Sequence, residues 1–303
     1  MLHAAAQFDV SHCHGCGLCS MVCPVYQQGG NVMMMPHGLA KASQCGAQLE
    51  RSNVFSCMLC GACAALCPQD IDLMQMLVAM RSAFNDKQAI NSLINKPAYQ
   101  KGEVVFIADK SLANDQERLD RLMNLLGSSH PVMASDQAVD ISEAMQSGNP
   151  VSYERMHQFL TSLQPVKKII ISDGLLYQLI KTKLPQIPMQ SLGEALSSRS
   201  ELRKNIKADD FYVIDSQSYH ANYQRAVIYY DVLQQATQCH LSLDLHRLAI
   251  PTGAQSTNGF DQVAQVQWLL QGRKTKRIIA ESLADYHMLA KFCKQPVVHI
   301  WEL

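Results

Sequence analysis

Eight cysteines in two matching sets constrain this chain more than any other feature of its sequence. The first set has the spacing Cys13-x2-Cys16-x2-Cys19-x3-Cys23, the second repeats it as Cys57-x2-Cys60-x2-Cys63-x3-Cys67, and a proline follows each. In ferredoxin-type runs of this spacing, three closely spaced thiolates bind one [4Fe–4S] cluster and the fourth binds the other cluster. The spacing therefore predicts two [4Fe–4S] clusters, the first held by Cys13, Cys16, Cys19 and Cys67 and the second by Cys57, Cys60, Cys63 and Cys23.

Zinc is the main alternative to iron and sulfide, because four cysteines with two-residue gaps also bind zinc well. Two pairs of cysteines complete a zinc site, however, and would leave the third close cysteine of each set unexplained. A disulfide framework is disfavoured, since nine of the eleven cysteines precede residue 70 in a chain of 303 residues. We interpret Cys45, Cys239 and Cys293 as buried small apolar residues, with a redox-active thiol as the alternative for Cys45.

Composition excludes some functions. The chain has 26 basic and 26 acidic residues, so it lacks the basic excess that is typical of a nucleic-acid-binding protein. Its apolar runs are strand-length and too short to span a membrane. The N-terminus has no basic region followed by an apolar stretch, and we expect no secretory signal. These features predict a cytoplasmic protein without a transmembrane segment, and they leave open peripheral attachment to the inner membrane through a partner.

The pattern of the chain changes near Pro97. Residues 1–97 contain the cysteine sets and a predicted helix at 71–84, but little strand pattern. Beyond Pro97, short apolar strands alternate with amphipathic helices, which is typical of an α/β arrangement. We predict an α+β protein, in which a helical two-cluster domain at 1–97 precedes two α/β halves at 98–210 and 211–303.

The two α/β halves share an order of features that predicts a duplication. A helix at 153–163 precedes Lys167-Lys168-Ile169-Ile170-Ile171, a helix at 175–183 and then Pro185. Later in the chain, a helix at 260–270 precedes Lys276-Arg277-Ile278-Ile279, a helix at 283–292 and then Pro296. Each unit ends in another short apolar segment, at 187–189 and 297–300.

Taken with its motifs, the chain resembles the iron–sulfur subunits of flavin-linked dehydrogenases. That group includes the iron–sulfur subunits of glycolate oxidase and of anaerobic glycerol-3-phosphate dehydrogenase, the lactate-utilisation iron–sulfur protein and heterodisulfide reductase subunits. The likeness rests on Cys13-His14-Gly15-Cys16-Gly17-Leu18-Cys19 and Cys57-Met58-Leu59-Cys60-Gly61-Ala62-Cys63, each completed by a Cys-Pro pair. The resemblance implies an all-helical ferredoxin module at the N-terminus.

The resemblance also implies that residues 98–303 are a duplicated cysteine-rich domain of the kind that carries Cys-Cys-Gly and Cys-x-x-Cys sequences. Those cysteines are missing here: the expected positions hold Ile250-Pro251-Thr252-Gly253, Ser172 to Leu175 and Ser282 to Asp285. An additional cluster and heterodisulfide reduction are therefore not expected, because iron–sulfur clusters require thiolate ligands. We expect the halves to act as a docking scaffold. A replacement metal site is a weaker alternative, with the candidate ligands Asp215, His220, Asp285, His287 and His299.

The leading functional hypothesis is an electron-transfer subunit of a multi-subunit oxidoreductase. We expect a flavin-containing dehydrogenase partner, and a quinone, a membrane subunit or another redox protein as acceptor. We expect no nucleic-acid partner. The sequence offers no acid–base or nucleophilic constellation, so no catalytic residue is assigned. The alternatives are an iron–sulfur assembly or redox-sensing scaffold without catalysis, and a self-sufficient reductase with a substrate site in the α/β halves.

Overall fold

The computed structural model describes residues 10–85, 89–91, 103–127, 130–256 and 259–303. The boundary predicted near Pro97 lies outside these residues. The described chain combines helices with two parallel sheets, which agrees with the mixed α and β class expected from the sequence.

The N-terminal region contains the cysteine sets. Within residues 10–85, all of which the structure describes, every regular element is helical: α1 (Leu18–Met21), α2 (Pro24–Gly29), a 3-10 turn (Val32–Met34), α3 (Pro36–Gln44), α4 (Arg51–Phe55), α5 (Ala62–Ala65) and α6 (Leu73–Ser82). The helix predicted over 71–84 is α6, whose N-cap Asp72 accepts a hydrogen bond from the Gln75 amide at 2.9 Å. Leu77 and Met80 of α6 are fully buried in the core of this region.

A four-stranded parallel sheet follows, in the order β2-β1-β3-β4. Its elements are β1 (Val104–Ile107), α7 (Lys110–Ala113), α8 (Gln116–Leu125), β2 (Val132–Met133), α9 (Val139–Ser147), α10 (Tyr153–Leu163), β3 (Lys168–Ile171), α11 (Gly174–Lys183), β4 (Met189–Ser191), α12 (Leu192–Ser197) and α13 (Ser200–Arg203). In register, Val105 pairs with Val132 on one side and with Ile169 on the other.

The second parallel sheet has the equivalent strand order, β6-β5-β7-β8. Its elements are β5 (Asp210–Val213), α14 (Ser216–Ala221), α15 (Tyr223–Thr237), β6 (His240–Leu241), α16 (Gln262–Leu270), β7 (Arg277–Ala280), α17 (Leu283–Phe292), β8 (Val297–His299) and a closing 3-10 turn (Ile300–Glu302). The helices predicted at 153–163 and 283–292 are confirmed with the same bounds as α10 and α17.

The two sheets contribute to one shared core. Alternate strand residues point to opposite faces of a sheet, and Phe106 and Ile170 of the first sheet lie in the same buried cluster as Tyr212 and Ile279 of the second. The intervening residues face each sheet's own outer helices, in two further clusters. Because both faces of each sheet are covered, the central strands β1, β3, β5 and β7 carry consecutive buried residues rather than an alternation of buried and exposed ones.

The length and polarity of the helices bear on membrane insertion. Among the residues that the structure describes, no helix is long and apolar enough to cross a bilayer.

Candidate functional site

The loop of the first cysteine set depends on two glycines and a lysine. Gly15 and Gly17 have φ values of +79° and +77°, a backbone conformation that other residues rarely adopt. Gly17 is the N-cap of α1, which carries Cys19. The Lys41 Nζ of α3 donates a hydrogen bond to the Cys13 carbonyl at 2.7 Å and so connects the loop to α3.

The first quartet, which we define as Cys13, Cys16, Cys19 and Cys67, surrounds one small cavity. Three members come from the first sequence motif, and the fourth comes from the end of the second. Cys16 is exposed to solvent, whereas the other three are half-buried. Leu18, which lines this cavity, and Met21 are both exposed on α1.

The second quartet, which we define as Cys57, Cys60, Cys63 and Cys23, surrounds a separate cavity. Cys57 and Cys63 are buried. A thiolate at Cys57 is close enough to Cys23 to raise the pKa of Cys23. In the same way, a thiolate at Cys19 of the first quartet raises the pKa of Cys63. The structure therefore groups the eight cysteines into two crossed quartets, each with one member from the other motif, and it places the quartets side by side.

The surroundings of the thiols suit a cluster of iron and sulfide. Backbone N–H groups reach the sulfurs: the Leu59 amide donates to Cys57 Sγ at 3.3 Å, and the His37 amide lowers the pKa of Cys19. Hydrogen bonds of this kind stabilise cluster sulfur and help to set its potential. Among the described residues, no three His, Cys, Asp or Glu side chains converge closely enough to hold a single metal ion. A cubane is larger, and its thiolates bind at separate iron corners, so it requires cysteines spread around a cavity.

Burial raises the pKa values of three of these thiols when no metal is bound. Desolvation raises the pKa of Cys19 to about 11 and those of Cys23 and Cys60 to about 12. Each thiol is then protonated at neutral pH, and iron has to displace the proton before it can bind sulfur.

Three side chains outside the motifs hold the loop of the second set. Arg81 of α6 donates to the Cys57 carbonyl and, at 2.7 Å, to the Gln146 carbonyl. From α14 of the second α/β half, Gln217 Nε2 donates to the Leu59 carbonyl at 3.1 Å, and His220 Nδ1 lies 2.8 Å from the Cys60 carbonyl. Neither Arg81 nor Gln217 was predicted in this role. The sequence signal that could have identified Arg81 is that it is the single arginine in the apolar helix α6.

Comparison with known proteins supports this interpretation of the cysteines. Residues 9–71 match the family model of a 4Fe-4S dicluster domain. We call this stretch the dicluster domain. A heterodisulfide reductase C-subunit-like protein of Archaeoglobus profundus is 27% identical over 105 residues, which cover 33% of this chain and 55% of that protein. The chain thus spans about half the length of the curated relative it matches. No solved structure matches. Both similarities support the resemblance to iron–sulfur subunits that was inferred from the cysteine motifs.

In the family that the chain resembles, further cysteines are expected at positions that hold other residues here. The structure brings these positions together next to the dicluster domain. Ser172, Ser282 and Thr252 line one polar cavity of about 320 Å3, together with Cys60 of the second quartet. Ser172 Oγ donates to Asp109 at 2.8 Å, and Ser282 Oγ donates to Asp285 at 2.7 Å. These serines, which stand where the resemblance would place cysteines, therefore bind carboxylates.

The five candidate ligands of a replacement metal site do not meet at one point. Asp215 and Asp285 line the polar cavity, whereas His220 packs against the dicluster domain. His299 is fully buried, with Nε2 lying 2.9 Å from the Glu281 carbonyl. His287 is exposed on α17.

The cysteines outside the quartets differ in their burial. Cys239 is buried, as predicted, and Cys293 is half-buried. The interpretation of Cys45 as a buried residue is wrong, because this side chain is exposed at the C-cap of α3. Helix α3 ends there, so Cys45 lies beyond the buried face that Leu39 and Ala40 provide.

Proposed function

We propose that this chain is the electron-transfer iron–sulfur subunit of a multi-subunit oxidoreductase. In this proposal it relays single electrons through two [4Fe–4S] clusters, between a flavin dehydrogenase partner and a quinone or another redox acceptor. The observation that carries the proposal is the separation of eight cysteines into two neighbouring quartets, each completed by a cysteine from the other motif. The match of residues 9–71 to a dicluster domain supports it.

The proposal assigns the clusters to a helical ferredoxin domain at residues 1–97. It treats residues 98–210 and 211–303 as the halves of a degenerate cysteine-rich domain that serves as a docking scaffold. The shared strand order of the two sheets supports this division.

When bound, each [4Fe–4S] cluster gains or loses one electron within a range of potentials of about −700 to +450 mV. The protein contributes access and shielding. Cys16 and the apolar side chains of Leu18 and Met21 are exposed, so the first quartet is the end that a partner protein can approach. The second quartet is enclosed by the dicluster domain and by α14, whose Gln217 and His220 bind its loop.

Elemental analysis and paired substitutions test the proposal. Protein reconstituted without oxygen is expected to contain about eight iron and eight sulfide per chain. Cys67→Ser should impair the cluster of the first quartet, although Cys67 lies in the second motif. Cys23→Ser should impair the cluster of the second quartet, although Cys23 lies in the first motif. Each variant should lose up to about half of the iron and change a different electron paramagnetic resonance signal. Cys45→Ser is the matched control, because this exposed cysteine belongs to neither quartet.

Three results would contradict the proposal. Zinc with little iron would remove the electron-transfer role. The crossed assignment would be overturned if Cys67→Ser impaired the resonance signal that Cys57→Ser impairs and left intact the signal that Cys13→Ser impairs. Clusters that dithionite cannot reduce would contradict the relay of electrons and favour the iron–sulfur assembly scaffold, in which the clusters are structural.

A further inference from the structure

A polar cavity of about 320 Å3, which we call the strand-end cavity, lies at the carboxyl ends of strands from both sheets. Asp109 follows β1, Asp173 follows β3, Asp215 follows β5 and Ser282 follows β7, and all four residues line the cavity. In parallel sheets, ligands bind outside the carboxyl ends of the strands, and cavities of roughly 300–1,000 Å3 accommodate small organic molecules. The strand-end cavity has both the position and the size of a ligand site.

The wall of the cavity is acidic. Among the described residues that line it, the carboxylates are Asp109, Glu143, Asp173, Asp215 and Asp285, and the one basic side chain is that of Lys110, which already pairs with Glu143. Desolvation by burial raises the pKa values of Asp173 and Asp285, and it raises that of Asp215 to about 7. A positive charge in the cavity would offset the desolvation of these groups.

The carboxylates are held rigidly by hydroxyl and backbone donors. Asp173 accepts from Ser142 Oγ at 2.6 Å and from the Leu176 amide at 2.9 Å. Asp285 accepts from Thr252 Oγ1 and, at 2.7 Å, from Ser282 Oγ. A site whose groups are already fixed costs less entropy when a ligand binds.

The cavity also touches the second quartet. Met58 and Cys60 form part of its wall. Gln217 lines the cavity and donates its Nε2 hydrogen to the Leu59 carbonyl, within the loop that carries the quartet. A ligand that contacts Gln217 therefore acts on a residue that positions this loop.

We propose that the strand-end cavity binds a small organic cation, an amine or guanidine with further hydrogen-bonding groups, and that its occupancy alters the second cluster site. The first part stands on the cavity itself. The second part rests on the proposed function, because it requires a cluster on the second quartet.

Calorimetric titration of the anaerobically reconstituted protein tests the binding. The probes are agmatine, putrescine and ethanolamine, with succinate and glutarate as anions of similar size and Mg2+ as an inorganic cation. We expect at least one of the three amines to bind one per chain with a dissociation constant below about 1 mM, and the anions and Mg2+ not to bind. Asp285→Asn should weaken binding at least tenfold, whereas Asp120→Asn, on an exposed surface of α8 that does not line the cavity, should leave it unchanged.

A second variant guards against a folding defect in the first. Ser111 is exposed at the cavity wall, so Ser111→Trp should obstruct the cavity without removing a carboxylate, and it should also weaken binding at least tenfold. An independent measure of occupancy is the electron paramagnetic resonance signal of the second cluster, which is the signal that Cys23→Ser impairs. In the native protein this signal should shift when the amine is added. The signal that Cys67→Ser impairs should stay unchanged.

The outcomes separate the two proposals. Binding of the anions or Mg2+ in preference to the amines, or failure of all three amines to bind a protein that contains both clusters, overturns this inference and leaves the proposed function standing. Binding that both cavity variants leave unchanged also overturns it. Amine binding by a chain that takes up no iron supports the cavity site while contradicting the proposed function.

Discussion

Glu281 is expected to make the stability of this protein fall as the pH rises from 5 to 8. The side chain is buried at the end of β7, with 2% of its surface exposed. Oε1 accepts hydrogen bonds from Tyr212 and Tyr230, both at 2.7 Å, and Oε2 accepts one from the Asp215 amide at 2.9 Å. The three donors favour the charged form, but burial outweighs them and raises the pKa of Glu281 to about 8.

The sign and size of the effect follow from proton linkage. An unfolded glutamate has a pKa near 4.5, so between pH 4.5 and 8 the native state keeps a proton that the unfolded state has released. The stability that this proton provides is complete below pH 4.5 and is lost as the pH rises through 8. At about 1.4 kcal/mol for each tenfold change in proton affinity, the loss between pH 5 and 8 is about 3–4 kcal/mol.

Glu281→Gln isolates this contribution. Its carboxamide oxygen can accept from the Asp215 amide while its NH2 group donates to the tyrosine oxygens, so the variant keeps the network without a titrating group. Other groups also titrate: the pKa of Asp215 is raised to about 7 and that of His220 is lowered to about 4. The quantity to compare is therefore the difference in unfolding free energy between the native protein and Glu281→Gln, which removes effects that are common to both.

Guanidinium unfolding without oxygen, followed by tryptophan fluorescence at pH 5, 6, 7 and 8, measures that difference. We expect the native protein to lose about 3–4 kcal/mol relative to the variant across this range. An infrared titration should show the protonated carboxyl of Glu281 at pH 6, and its band should be missing from the variant. A difference that stays constant from pH 5 to 8, or an ionised Glu281 at pH 6, would refute the reasoning.

Two further predictions concern packing around the sites. Gly61→Ala should destabilise the protein by about 2–3 kcal/mol, because φ is +82° and the new Cβ would lie 3.0 Å from His220 Cβ. At Gly46, where φ is +67°, no atom of the described residues apart from its chain neighbours lies within 4 Å of the position of a new Cβ, so Gly46→Ala should cost only the backbone strain of about 1–2 kcal/mol. Equal costs in chemical unfolding would show that the contact with His220 is unimportant. Arg155→Met should cost about 3–5 kcal/mol by leaving the buried Asp136 unpaired, and adding Asp136→Asn should recover part of the loss; no recovery in the same assay would contradict the charge argument.

Local sequence patterns were sufficient to predict much of the fold. The helices at 153–163 and 283–292 repeat apolar residues at helical spacing, and both end before a proline. The sequence was therefore sufficient to predict where these helices begin and end. The exposure of Cys45 was not readable in the same way. It follows the last turn of α3, where the spacing of apolar residues no longer indicates which face is buried.

The contacts that complete the site join residues far apart in the chain. Gln217 and Leu59 are separated by 158 positions, and Ser172 and Asp109 by 63. Neither pair lies within one helix or one hairpin, so no local periodicity predicts it. The buried carboxyl of Glu281 likewise depends on Gly193, whose missing side chain leaves the space that the Glu281 carboxyl group occupies. Such complementarity between distant residues becomes visible only once the two sheets are placed on their shared core.

The two quartets differ in what controls them, and this difference gives the α/β halves a role even without cysteines of their own. The first quartet is bounded by the first motif, by the 67–73 segment, by His37 of α3 and by solvent. Among the described residues that line its cavity, none belongs to the α/β halves, so we expect it to respond mainly to a partner that contacts it from the solvent side. The second quartet is bounded by Arg81 of α6 and by Gln217 and His220 of α14. Because α14 begins at the strand-end cavity, where Asp215 is its N-cap, a change of charge in that cavity acts on the helix that holds the second loop. If the clusters are bound as proposed, the potential of the second cluster should therefore respond to substitutions in the α/β halves, and that of the first should not.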